Sequence, residues 1–307
     1  MGVNPSAPAF RLAAYGVLLA AVLGGGAAVG AALGPEPDED PPGAHDEAAP
    51  PADDGLPPGL SASRDGYHLA LETTVIPADT PSELALVIHD PMGEVLTEYE
   101  VEHDKELHLV IVSRDLRTYA HVHPERDEHG TWRVMAPPLP AGPYRLYADF
   151  VPAGSHGITL GAELGVAGEF TPRPIPAPSP VATVDGYEVT LGGELVAGRS
   201  ATLTVTVHRD GEPVTDLDPY LGALGHLVAI REGDLAYLHV HPLDDPDGPG
   251  GPDVSFRIDV PTSGTYGLFF DFSHGGEVRT ASVVTTAAAA AAPADDTAAD
   301  TEHGHGD

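Results

Sequence analysis

His108-Leu-Val-Ile-Val-Ser-Arg-Asp-Leu-Arg-Thr-Tyr-Ala-His121-Val-His123-Pro124 and His226-Leu-Val-Ala-Ile-Arg-Glu-Gly-Asp-Leu-Ala-Tyr-Leu-His239-Val-His241-Pro242 are one pattern written twice. In both stretches the second histidine follows the first by thirteen residues and the third follows by two more, and the copies are offset by 118. Each stretch opens with a short apolar run and resumes with apolar residues between histidines, which reads as two strands joined by a hairpin. His121 and His123 are two apart on a strand and therefore share a face. An even-length loop centred on Asp115-Leu116 sets His108 opposite His123, and one centred on Gly233-Asp234 sets His226 opposite His241. Gly233 in first place suits a type II′ turn. Directly opposed residues share a face with Cβ atoms roughly 4.5–5.5 Å apart. Three imidazoles then converge on one patch in each copy.

The repeat extends outward. Asp65-Gly66-Tyr67 returns as Asp185-Gly186-Tyr187, and Asp149-Phe150 as Asp271-Phe272, with small drifts in offset that mark loop insertions and deletions. Tyr144-Arg-Leu-Tyr-Ala-Asp-Phe, Ala201-Thr-Leu-Thr-Val-Thr-Val and Val254-Ser-Phe-Arg-Ile-Asp-Val are short runs, several alternating apolar with polar, punctuated by Gly and Pro. No long helical period occurs. The expected fold is all-β: two tandem immunoglobulin-like β-sandwich domains, residues 62–170 and 182–286, with a Greek-key barrel as the alternative. Trp132 and Tyr144 read as strand-packing residues.

The flanks read differently. Arg11 precedes a stretch, Leu12 to Leu33, that contains no charged residue. Residues 1–33 read as a transmembrane anchor or, with Val29-Gly30-Ala31 as the cleavage site, a signal peptide. Either exports the rest: the chain is expected as a single-pass protein of the cell membrane with extracytoplasmic domains, or as a secreted one after cleavage. Residues 34–61 form an acidic, Pro-rich linker without Lys or Arg, 171–181 a second Pro-rich linker, and 287–307 an acidic tail ending in His303-Gly-His305. A flexible tail pays a large ordering cost to bind metal, so it reads as solvated.

The formal net charge is −33, which argues against nucleic acid as a partner, because phosphate must be met by Lys and Arg. Cysteine is absent, so disulfides, thiolate metal sites and cysteine nucleophiles are excluded. Neutral imidazole is the commonest metal ligand, and three on adjacent strands suit copper or zinc with one position left open. The candidate ligands are His108, His121 and His123, and His226, His239 and His241. Asp149 and Asp271 are candidate fourth ligands or acceptors that fix an imidazole tautomer. His89 and His208 also correspond between copies; His68, His103 and His129 read as surface residues. Binding needs neutral imidazole and is expected to weaken below about pH 6.

Asp104-Lys105-Glu-Leu-His108-Leu-Val-Ile-Val-Ser-Arg-Asp115-Leu, continuing to His121-Val-His123-Pro124, resembles a motif of bacterial exported proteins whose immunoglobulin-like domains are broadly similar to YtkA-like and CopC-like metal-handling modules. The tandem arrangement looks like that of actinobacterial membrane-anchored proteins associated with heavy-metal transport. The resemblance covers residues 62–286 and implies metal handling, copper first. CopC-like sites use a ligand at the mature N-terminus, which the long linker here removes. The second copy also lacks the pair found at Asp104-Lys105.

The expected function is thus a membrane-tethered copper- or zinc-binding protein for buffering, delivery or resistance, not an enzyme, with metal ions, the membrane and a metal transporter as partners. The alternative is a structural or adhesive cell-surface protein with incidental histidines. A three-histidine metalloenzyme ranks below both, because the companion residues of dismutases and carbonic anhydrases are missing.

Overall fold

A computed structural model describes residues 56–238, 240–244 and 250–290. The segment 1–33, most of the first linker and most of the tail lie outside the described residues. Among the described residues the regular structure is strand only, and no helix is long and apolar enough to cross a membrane.

Each copy is a two-sheet sandwich, and strand order is the same in both. In the first copy one sheet runs Ser63–Arg64, Tyr67–Leu71, Ser82–His89, Trp132–Ala136, Glu125–Arg126. The other runs Val75–Pro77, Ile158–Ala167, Gly142–Pro152, Leu107–Ser113, Tyr119–Val122. In the second copy the equivalents are Val181–Val184, Tyr187–Gly192, Arg199–Arg209, Asp253–Val260, Val240–Pro242, and Leu195–Val196, Glu277–Ala288, Gly264–His274, His226–Arg231, Tyr237–Leu238. Pairing is antiparallel except for Val75–Pro77 beside Ile158–Ala167 and Leu195–Val196 beside Glu277–Ala288. Two such sheets, connected by strands that cross between them, make the immunoglobulin-like arrangement. A second mark of it is a tyrosine near the start of the long central strand that bonds back to the preceding corner. Tyr144 donates to the Pro140 carbonyl at 2.9 Å and Tyr266 to the Thr262 carbonyl at 2.8 Å. Asp65-Gly66 and Asp185-Gly186 are two-residue hairpin tips with both φ angles positive, the type I′ geometry that Asp-Gly favours.

The His-bearing strands do not alternate, and the reason is a third core. Leu107–Ser113 is buried along its whole length, and only the ends of His226–Arg231 are partly open. One face of each strand packs into its own sandwich. The other packs against the other copy, so both faces are apolar. Val110, Val112, Leu116 and Tyr147 meet Val228, Ile230, Leu235, Tyr237 and Phe269. The same positions serve on both sides: Tyr119 stacks on Phe269 with ring centroids 4.4 Å apart, and the offset-related pair Tyr237 and Tyr147 lies at 5.3 Å. The copies therefore meet through like faces about a pseudo-twofold axis, as in an isologous dimer.

Two linker stretches are more ordered than their composition suggests. Residues 56–61 are bonded to both sandwiches: Gly59 N–H donates to the Thr159 carbonyl, and Tyr237 N–H to the Pro58 carbonyl. Within 171–181, Arg117 bonds the Pro174 carbonyl, Arg173 pairs with Asp115, and Ile175 packs on the third core. The last strand extends to Ala288, past the expected domain edge, because Ala287 is buried opposite Leu195.

Candidate metal centre

The hairpin that carries the first histidine set pairs Leu109 with Val122 and Val112 with Tyr119, so the register points His108 at His123. The second hairpin pairs Ala229 with Leu238 and Ile230 with Tyr237, the equivalent register. Both loops are four residues long, closed by Ser113 N–H to Thr118 O and by Arg231 N–H to Ala236 O. This corrects the type II′ expectation at Gly233. The loop stays even in length, so the register is unchanged.

His108, His121 and His123 come together. One nitrogen from each lies within 4.8 Å of the others. Their ring centroids are 5.3, 5.1 and 4.7 Å apart. Imidazoles bound to one tetrahedral ion at about 2.0–2.1 Å have centroids roughly 5.2 Å apart.

The hydrogen bonds fix which nitrogens face inward. His108 Nε2 lies 3.1 Å from the Glu102 carbonyl, which can only accept, so Nε2 carries the proton and Nδ1 has the lone pair. His121 Nδ1 lies 2.9 Å from Asp271 Oδ2, so it donates, and in the neutral ring Nε2 has the lone pair. Those two lone-pair nitrogens face each other at 3.1 Å. His123 Nε2 is buried without a hydrogen-bond partner. Burial first, then the His121 charge, pulls His108 from 6.5 down to about 4. Burial, then His121 and His108, pulls His123 down to about 3. At His108 and His123 the neutral imidazole therefore persists well below the pH 6 threshold expected for exposed histidines.

Asp271 belongs to the second copy, yet it holds a histidine of the first. It is buried, and it also accepts from Tyr119 at 3.1 Å and from Thr280. Asp149 stands in the mirrored position, accepting from Thr159 at 2.8 Å and from the hydroxyl of Tyr237. Each aspartate pairs in register with the first histidine of its own copy, Asp149 with His108 and Asp271 with His226. Asp271 thus stands as hydrogen-bond acceptor to His121. The exchange between copies depends on the pseudo-twofold packing, which no local spacing reveals.

Of the second set, His226 and His241 are among the described residues. His226 Nε2 donates to the Leu221 carbonyl at 3.2 Å, so its lone pair is on Nδ1. Burial, then the His103 and His121 charges, pulls it to about 3. His239 lies outside the described residues. His241 is exposed, and its strand Val240–Pro242 has crossed to pair with Asp253–Val260.

A cavity of about 340 Å³ between the copies is lined by His103, His108, His121, His226, His241 and Asp149, among others. His103, expected on the open surface, is exposed but stands with its ring centroid 4.8 Å from that of His226. The signal for it was the turn. His103 and Asp104 form a two-residue tip with φ of 48° and 62°, closed by reciprocal Glu102 and Lys105 backbone bonds, and Leu221-Gly222 forms the same tip 118 residues later. His89 and His208 lie in the outer sheet of each sandwich, away from this cavity; His89 stacks near His68.

Solved structures resemble the chain only distantly. A DUF4426 family protein from Pseudomonas aeruginosa PAO1 is 10% identical, matching 34% of this chain and 94% of its own, with a TM-score of 0.26. The Escherichia coli adhesin FdeC is 12% identical over 73% of this chain and 64% of its own, with a TM-score of 0.22. The N-terminal Ig1-2 module of the Drosophila receptor protein tyrosine phosphatase DLAR is 9% identical over 73% and 99%, with a TM-score of 0.21. No curated protein matches the chain. One family model does match, once per sandwich, over residues 62–162 and 182–289. Those two matches take in well over half of the sequence, and the chain belongs to the family described as Domain of unknown function (DUF8832).

Proposed function

We propose that the protein binds a divalent transition-metal ion, copper or zinc, through His108 Nδ1, His121 Nε2 and His123 Nε2. The observation that carries this reading is the 3.1 Å approach of two imidazole nitrogens whose other nitrogens are already committed as donors. Two facing lone pairs repel unless a proton or a cation lies between them. Burial disfavours the proton on His108, and a metal ion can replace a proton on His121 Nε2 at this spacing, since tetrahedral ligands of one ion stand roughly 3.3 Å apart. The Asp271–His121 contact is the usual outer support of a metal-bound imidazole. The cavity lined by His108 and His121 leaves room beside them for a further ligand. The reading is of a carrier rather than an enzyme, since both central aspartates are engaged as acceptors from Thr and Tyr. With residues 1–33 as a membrane tether, the sandwiches would buffer or deliver metal outside the cytoplasm, with a transporter as the candidate recipient.

Calorimetric titration of the full chain, carrying His303→Ala and His305→Ala to silence the tail, tests this. Micromolar or tighter binding of Cu²⁺ or Zn²⁺ that disappears in His121→Ala supports it. Absence of binding, or equal affinity in the variant, removes it.

The second reading is a structural or adhesive surface module. It is favoured by the third core, which joins two sandwiches into one apolar-sealed unit suited to bearing load or presenting a face. It requires no metal affinity, and the same titration separates the two.

A further inference from the structure

The triad does not exhaust the imidazoles in the cavity. His226 repeats the device seen at His108: its Nε2–H is spent on a backbone carbonyl of the preceding hairpin tip, which turns Nδ1 inward. His103 stands beside it on the tip of the first copy's hairpin. Their centroid separation of 4.8 Å matches the 4.7 Å between His121 and His123 inside the triad. It falls near the roughly 5.2 Å spacing of two imidazoles on one tetrahedral ion. His226 in turn lies 6.1 Å, centroid to centroid, from both His108 and His121, too far to join the first ion in tetrahedral geometry.

We infer that His103 and His226 form a second transition-metal site that faces the triad across the shared cavity, so that the loaded protein carries a pair of ions. This rests on the metal reading of the triad. The second site is contributed by both copies, His103 from the first and His226 from the second, and so it exists only while the sandwiches are docked. With two protein ligands and an exposed His103, it is the weaker and more accessible of the two. It is suited to receiving an ion from solution and passing it inward, where three buried nitrogens hold it. The second copy cannot supply a mirror image, because Leu221 occupies the place of His103 at its tip.

Metal stoichiometry decides the matter. Full-length protein with His303→Ala and His305→Ala is titrated with Cu²⁺, and bound copper is counted after desalting. Paramagnetic resonance of the loaded protein reports dipolar coupling between nearby ions. The key variant is His103→Leu, which copies the residue that the second tip already carries and so preserves the turn. Two ions per chain with dipolar broadening, falling to one uncoupled ion in His103→Leu and in His226→Ala, establishes the pair. One ion per chain, unchanged in His103→Leu and lost in His121→Ala, overturns the second site and leaves the triad standing. Two ions that persist in His103→Leu but drop to one in His241→Ala also overturn it, in favour of one triad per copy. No bound copper in any form removes the triad reading and this inference together.

Discussion

His121 of the first sandwich donates its Nδ1 proton to Asp271 of the second, across 2.9 Å. The two residues are 150 positions apart, and both side chains are nearly sealed from solvent. A histidine in one copy is thus oriented by a carboxylate in the other. The carboxylate is in turn pinned by Tyr119 from the first copy and Thr280 from its own. On the proposed metal reading, affinity depends on domain docking, because separating the sandwiches would free the His121 ring to rotate and take a different tautomer.

Asp271→Asn should therefore weaken metal binding by about 10- to 100-fold, the usual effect of losing the charged outer partner of a ligating histidine. The amide still fills the space and can accept through its oxygen, so the fold should survive. Competition titration against a chelator of known affinity reads the change. An affinity equal to that of the wild type would mean that Asp271 serves packing alone.

The buried histidines also set a pH dependence. His108, His123 and His226 protonate near 6.5 in the unfolded chain and near 4, 3 and 3 in the folded one. Between those values the unfolded state binds more protons, so metal-free stability falls as pH drops from about 6.5 toward 3; above 6.5 these groups contribute no slope. Urea midpoints at pH 7 and pH 4.5 should differ more for the wild type than for His108→Leu/His226→Leu. Proton competition at His108 and His123 should set in only near pH 4 and below, so metal titrations at pH 6 and 5 should show neither of these two ligands lost.

Local patterns were readable wherever one strand or one hairpin decides the outcome. The closeness of His121 to His123 and the even loop register follow from period-two geometry. What depends on packing between copies was not readable: the crossed Asp271 contact, the burial that lowers the histidines, and the approach of His103 to His226. A trace was present nonetheless. Leu109-Val-Ile-Val and Leu227-Val-Ala-Ile are unbroken apolar runs, which a half-exposed sheet does not need, and they mark strands covered on both faces. Linker composition misled at 56–61 and 171–181, because backbone carbonyls beside Pro and Gly accept hydrogen bonds whatever the side-chain polarity.

Leu116 tests the docking itself. It sits at the tip of the first hairpin, almost fully buried in the third core beside Gly267 of the other copy. Leu116→Ala should cost about 2–4 kcal/mol, the range for a buried leucine whose cavity cannot fully collapse. The loss should appear in a single cooperative denaturant transition covering both sandwiches. Two separated transitions in the wild type would instead mean that the copies fold independently and that the third core is weak.

Gly59 makes the same argument from the chain that enters the fold. Its φ of +72° lies in the left-handed region, and a Cβ there would sit 2.5 Å from the Tyr147 ring and 3.1 Å from Tyr237. Both tyrosines belong to the third core, and Tyr147 also donates to the Leu235 carbonyl at 2.6 Å. Gly59 in turn gives its N–H to Thr159 and accepts from Arg145 Nε at 2.9 Å. Alanine here must displace an aromatic ring that spans the two copies or break those bonds. Gly59→Ala should therefore destabilise by about 1–3 kcal/mol, the cost of overpacking a filled site. Hydrogen exchange should quicken at the Thr159–Gly161 edge and at Tyr237, whose amide bonds Pro58. If exchange at Tyr237 is unchanged while stability falls, the strap responds locally and does not help hold the sandwiches together.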